Sequence, residues 1–155
     1  MNSEEKRIKK DILIAVDESE NARRAVSYVG QLLGGLPDFK VLILHIIPDP
    51  EEDYFQNVSE KEKWIEEHKK QIDILLEDYR RILIQAGFDE SAVSTRSTLR
   101  HCPSMAKCIL KEVDKIHNTI VVGRQGLSRS EEFLFGSISS KIVNHARDCT
   151  VWVVQ

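Results

Sequence analysis

The sequence is short of several things that would mark a function class. It has three cysteines in 155 residues, an odd number with no CxxC pair. Neither a disulfide framework nor a standard zinc site is indicated, and Cys102, Cys108 and Cys149 read as free thiols in a reducing cytoplasm. It has no basic excess. The formal net charge of −3 gives no global positive field for nucleic acid or an anionic membrane surface. No apolar run approaches the ~20 residues that span a bilayer. Residues 1–10 are charged and lack the apolar centre of a signal peptide, so they read as a polar, solvated tail. His145 and Cys149, four apart, lack the further ligands a metal needs and read as structural residues. There is no internal repeat, no low-complexity tract and no second domain, which leaves one domain over residues 1–155.

What is present is an alternation of short apolar runs and amphipathic stretches. Asp11-Ile12-Leu13-Ile14-Ala15-Val16 reads as a strand buried on both faces. Ser19 is placed to cap the helix that follows, whose apolar face is Ala22, Ala25, Val26, Val29, Leu32 and Leu33. Gly34-Gly35 ends it. A second strand covers residues 40–47 and stops at Pro48. A polar, acidic connection over residues 49–59 leads to a long helix, with Ser59 and Glu62 as its capping box. That helix carries Ile65, His68, Ile72, Leu75, Leu76, Tyr79, Ile82 and Leu83 on one face and ends at Gly87. Residues 92–98 alternate weakly as a third strand.

Cys102-Pro103-Ser104 opens a third helix, with Pro103 near its first turn. Its apolar face is Met105, Cys108, Ile109, Val113 and Ile116. A fourth strand covers residues 119–122, a fourth helix carries Ile138, Ile142, Val143 and Ala146, and Thr150-Val151-Trp152-Val153-Val154 is the last strand. Strand and helix in strict alternation predict an α/β fold, an open five-stranded parallel sheet with helices on both faces. Ligands bind such sheets beyond the carboxyl ends of the strands, where strand order reverses.

The chemistry-bearing stretch is Ile120-Val121-Val122-Gly123-Arg124-Gln125-Gly126, then nine residues, then Gly136-Ser137-Ile138. Glycines after a strand and before a helix let backbone N–H groups approach an anion, and the helix start adds unpaired N–H groups. An ordinary strand-to-helix turn would explain two glycines as well. It does not explain the connection of residues 127–135, longer than the usual ~2–6 residues. GxxxxGK[ST] is absent, and GxGxxG does not follow the first strand, so the two commonest nucleotide fingerprints are excluded. Asp17 reads either as a ligand contact or as the start of the turn that caps the next helix. His45 and the serines at 128, 130, 139 and 140 read as structural. No base and nucleophile are arranged together, and no residue is assigned a catalytic role.

The spacing Gly123-x2-Gly126-x9-Gly136-Ser137 resembles the ATP-binding motif of the universal stress proteins. Ala15-Val16-Asp17-Glu18-Ser19 looks like that family's first strand end, His45-Ile46 like its adenine-side segment, and residues 150–154 like its last strand. The resemblance runs from Asp11 to Val154. It implies a Rossmann-like fold of the adenine nucleotide alpha hydrolase type. It implies that Ala15, Asp17 and Ile46 surround adenine and ribose, that Val16, Val122, Gly123 and Gly126 line the nucleotide, and that Gly136, Ser137 and Ile138 hold phosphates. Arg124 reads equally as a phosphate contact and as a solvated side chain.

The expected ligand is ATP, with any Mg²⁺ held mainly by the phosphates, since no protein ligand set for a metal is visible. The function implied is a cytoplasmic, nucleotide-dependent regulator of stress response, dimeric through the bare apolar edge of the last strand. The alternative is a slow ATPase or a nucleotidyl- or phosphoryl-transferring enzyme on the same fold. His101-Cys102-Pro103 and Asn118-Thr119 depart from the family's usual residues and put only the path into the third helix in doubt.

Overall fold

A computed structural model describes residues 8–50, 52–113, 117–124 and 137–155, with Glu52 and Ser137 described by their backbone alone. The expected strands are present: β1 (Asp11–Ala15), β2 (Lys40–Pro48), β3 (Val93–Arg100), β4 (Thr119–Gly123) and β5 (Thr150–Val154). They form one sheet in the order β3-β2-β1-β4-β5, with every pairing parallel. The helices are α1 (Glu20–Leu33), α2 (Val58–Gln85), α3 (Met105–Glu112) and α4 (Ser137–His145).

The continuous apolar runs are explained by burial on both faces. Ile12, Ile14, Val41, Ile43, Ile47 and Val121 pack with α1 and α2. Their neighbours Leu13, Leu42, Leu44, Ile46, Ile120 and Val122 pack with α3 and α4. Each such side chain fully removed from water contributes about 1.5–3 kcal/mol, so two cores flank one sheet.

Local chemistry sets the helix starts. Ser19 Oγ accepts the Ala22 N–H at 3.1 Å, as the sequence predicts. For α2 the cap is Asn57, not Ser59: its Oδ1 accepts the Glu60 N–H at 2.9 Å, and Glu60 reaches back to the Gln56 N–H at 3.2 Å. Asn caps as well as Ser, and the pair Asn57 and Glu60 does two residues earlier what Ser59 and Glu62 were expected to do. Ser104 caps α3 through the Lys107 N–H at 3.3 Å, with Pro103 immediately before the cap, close to the first turn. The expected α3 face also runs on too far. Val113 is already the C-cap in extended conformation, and Ile116 lies outside the described residues. Leu32 and Val143, expected on buried faces, are about half exposed.

Two contacts anchor α3. Glu112 is almost buried and accepts from Arg100 Nε at 2.8 Å and Nη2 at 2.6 Å, with Arg96 Nη1 at 3.5 Å. A buried carboxylate held by two guanidinium groups ties the end of α3 to β3. At the other end Cys102 and Cys108 form a disulfide, with Cα atoms 5.8 Å apart, and Cys149 alone remains a free thiol. The expectation of three free thiols is thus overturned. The cap at Ser104 turns the chain so that Cys102 returns to the first turn of α3, a fold-back that residue spacing does not reveal.

Gly123 is required by packing. A Cβ there would lie 2.5 Å from the backbone oxygen of Asn21 and 2.9 Å from the Ala22 nitrogen. These are backbone atoms of the first turn of α1 and cannot swing aside. Gly123→Ala should therefore push α1 off the end of β4 at a cost of about 1–3 kcal/mol, read as a fall of several degrees in Tm by calorimetry. An unchanged Tm would show that the approach is looser than described.

Candidate functional site

Strand order reverses beside β1, which lies between β2 and β4. β1 feeds β2 on one side, while β4 returns on the other. A cavity of about 250 Å³ opens at the carboxyl ends of these three strands. That is near the lower end of the ~300–1,000 Å³ typical of small-molecule sites. Its floor is Ala15 at the end of β1 and Val16 just after it, Leu44 to Ile46 from β2, and Val122 and Gly123 from β4. The turn after β1 contributes Asp17, Glu18 and Ser19. Met105 and Ile109 of α3 and Ile138 and Ser139 of α4 close one side. Pro48 and His68 close the other.

Seven residues singled out from the sequence thus meet in one place: Ala15, Val16, Asp17, Ile46, Val122, Gly123 and Ile138. Arg124 lies outside the lining, and its backbone N–H donates to the Val154 carbonyl at 2.6 Å, extending the pairing of β4 with β5. Ser137 opens α4 by its backbone. Gly126, Gly136 and the connection of residues 127–135 lie outside the described residues.

Asp17 has the turn role in full. Its Oδ1 accepts the Ser19 N–H at 2.8 Å, which sets up the cap of α1. Its backbone carbonyl accepts the Tyr79 hydroxyl at 2.7 Å. Tyr79 is buried, and burial, reinforced by the Asp17 carboxylate, pushes its pKa up to about 12. The phenol therefore stays a proton donor at any working pH and pins the rim of the cavity to α2.

His45 is the most sharply placed polar group of the floor. It is 6% exposed, and its Nδ1 is sealed with no hydrogen-bond partner. Burial holds its pKa below the ordinary 6.5. The Glu18 and Asp17 carboxylates oppose that shift, and His68 adds to it. His45 is thus a neutral imidazole at pH 7, buried as a structural residue would be, but set in the cavity floor. His68 lines the same cavity and stacks on Trp64, ring centroids 4.8 Å apart. The sequence placed His68, Met105 and Ile109 on apolar helix faces and Ser139 among turn residues, but assigned none of them to the site. Periodicity reports which face is buried, not which end of the sheet the face lies over.

An α/β protein with a small-molecule cavity at the switch point of a parallel sheet is the class that fold and site define. Comparison with known proteins gives the family. The universal stress protein family matches residues 9–155. A putative universal stress protein of Staphylococcus aureus (strain USA300) is 33% identical over 152 residues, covering 94% of this chain and 84% of that one. The chain belongs to the universal stress protein family. Among solved structures, a universal stress protein in complex with cAMP matches with a TM-score of 0.68 at 18% identity, covering 95% of this chain and 97% of that chain. One from Archaeoglobus fulgidus in complex with dAMP matches at 0.55 and 17% identity, covering 96% of this chain and 100% of that chain. At these identities the likeness concerns the fold.

The buried imidazole makes stability pH-dependent in a known direction. Its pKa is lowered on folding, so its neutral form costs nothing above about pH 6.5. Below that the unfolded chain binds a proton that the folded protein refuses, and stability falls. The slope contributed is at most roughly 1.4 kcal/mol per pH unit. Urea midpoints between pH 7 and pH 5 should therefore fall less in His45→Asn than in the parent. Equal slopes would show that His45 titrates as it does in the unfolded chain.

Proposed function

We propose that the chain is an ATP-binding regulatory protein of stress response, a nucleotide-dependent switch that binds rather than turns over its ligand. The observation that carries this reading is the cavity itself. Its floor joins the carboxyl ends of β1, β2 and β4, and the strand that ends at Gly123 continues in sequence into Gly126-x9-Gly136-Ser137. The fit to an adenine nucleotide is chemical. Ala15, Val16, Ile46 and Val122 offer an apolar bed for a base, and the exposed Asp17 carboxylate offers acceptors to ribose hydroxyls or an exocyclic amine. Gly126, Gly136, Ser137 and Ile138 would hold the phosphates at the start of α4, where the first N–H groups have no acceptor within the helix itself. The relatives solved with cAMP and dAMP support an adenine nucleotide as the ligand class.

Among the described residues no three His, Cys, Asp or Glu side chains are grouped to hold a metal. Any Mg²⁺ would ride on the phosphates. Contacts on both flanks of residues 127–135 would make that segment the part a partner reads when ATP is bound.

Calorimetric titration tests this directly. The parent chain should bind ATP, and Gly126→Val should weaken binding roughly tenfold or more, about 1.4 kcal/mol, with the fold intact by circular dichroism. A folded variant that binds as the parent does would remove the phosphate assignment.

The same reading includes a homodimer in the cytoplasm. β5 pairs with β4 on one side, and its residues Val151 to Val154 are only half-buried. Trp152 meets the half-exposed ring of Tyr28 edge-on, centroids 6.2 Å apart. A second copy would cover that edge. Sedimentation at micromolar concentration should show a dimer; a monomer would end the dimer proposal.

A further inference from the structure

We infer that Cys102 and Cys108 form a thiol–disulfide switch that sets the stiffness of the α3 side of the cavity and hence its affinity for ligand. The link to nucleotide rests on the function proposed above; the chemistry of the pair does not.

The geometry is local. Cys102 is half-buried, and Cys108 is 4% exposed inside the core shared by Ile46, Val122 and Ile142. Their bond closes a sequence separation of 6. A loop this short constrains the unfolded chain less than a long one, so its main effect is on the native segment it spans. That segment is Pro103, the Ser104 cap and the first turn of α3. Met105, inside the loop, and Ile109, just after it, both line the cavity. At its other end α3 is held independently by Arg96 and Arg100 on Glu112. Reduction would therefore free only the cavity end of the helix.

Access is one-sided, which suits exchange with a small disulfide. The Cys102 thiolate attacks a low-molecular-weight disulfide RSSR, forming a mixed disulfide and releasing one RS⁻. The Cys108 thiolate then attacks the Cys102 sulfur, closing the internal bond and releasing the second RS⁻. Two cysteine thiols are oxidised, one RSSR is reduced, and two protons are shared out to the leaving thiolates. A small thiol in excess runs the sequence backwards. Cys149 takes no part: it is alone, and its thiol pKa is raised, first by burial and then by Asp148.

With the bond closed, Met105 and the α3 cap are in place before the ligand arrives. With it open, ordering them becomes part of binding. Affinity should be higher in the oxidised form, and by reciprocity bound ligand should make the bond harder to reduce by the same factor.

The test equilibrates the full chain with glutathione disulfide or with excess reduced glutathione, then titrates each form with ATP. Peptide mapping should find residues 102 and 108 linked after oxidation. ATP should bind the oxidised form about fivefold or more tightly. The Cys102→Ser/Cys108→Ser double variant should bind like the reduced parent under both conditions. Failure of the linkage to form, equal affinity in the two forms, or a redox response surviving in the double variant would each overturn the switch. If ATP binds neither form, the nucleotide assignment falls, and amide exchange at residues 105–109 decides the switch. Faster exchange on reduction upholds it, and equal exchange overturns it.

Discussion

The carboxyl end of the sheet depends on how closely helix α1 can approach strand β4. The chain leaves β1 at the centre of the sheet and has only a short turn before α1 begins. To cover the sheet, the first turn of α1 must pass directly over the end of β4. There Gly123 leaves no room for a Cβ against the Asn21 carbonyl. This close passage brings Ser19 and Ala22 to the cavity. A side chain at 123 would lift the helix start away and open the floor between β1 and β4. The glycine that the sequence offers as part of an anion turn is thus first a packing requirement of the fold.

The second tie is long-range. Tyr79, 62 residues from Asp17 in sequence, donates to the Asp17 carbonyl at the point where β1 turns into α1. Tyr79 is buried, with Arg23 over its ring, and leaving its hydroxyl unpaired would cost about 1–3 kcal/mol. The same helix carries His68 to the cavity beside His45. One side of the site is therefore set by a 28-residue helix with a deep core and a part-buried hydrogen bond at its rim. A neutral His45 with a sealed, unpartnered nitrogen is tolerated there because the imidazole is not charged.

The strands were legible because parallel strands buried on both faces must be apolar throughout, and residues 12–14, 41–44 and 120–122 are. The site floor was legible for a related reason: ligands gather at strand ends, and the ends of these runs are visible as Asp17, Pro48 and Gly123. What was not legible depends on the path of the chain between elements. Asn57 or Ser59 could cap α2 equally well by residue type, and only the structure chooses. Leu32 and Val143 fit the helical period but sit at the edge of the buried stripe. Cys102 and Cys108 meet because the Ser104 cap reverses the chain, and His68 and Met105 reach the cavity because α2 and α3 lie over the end of β2. Spacing along one helix holds none of that information.

The two sides of the cavity consequently differ in stiffness. α2 is long enough to hold its own hydrogen-bond ladder and buries Ile72, Leu76, Tyr79 and Leu83. α3 has eight residues, below the ~12–15 at which an isolated helix begins to be stable. It persists because Ala106, Cys108 and Ile109 are buried, because Glu112 is clamped by two arginines, and because Cys102 closes its start. Removing one of those supports changes α3 before it changes the sheet, since the strands draw on two full cores. The proposed redox response would therefore fall on Met105 and Ile109, while β1, β2, β4 and the Tyr79 tie hold the floor and the α2 side in place.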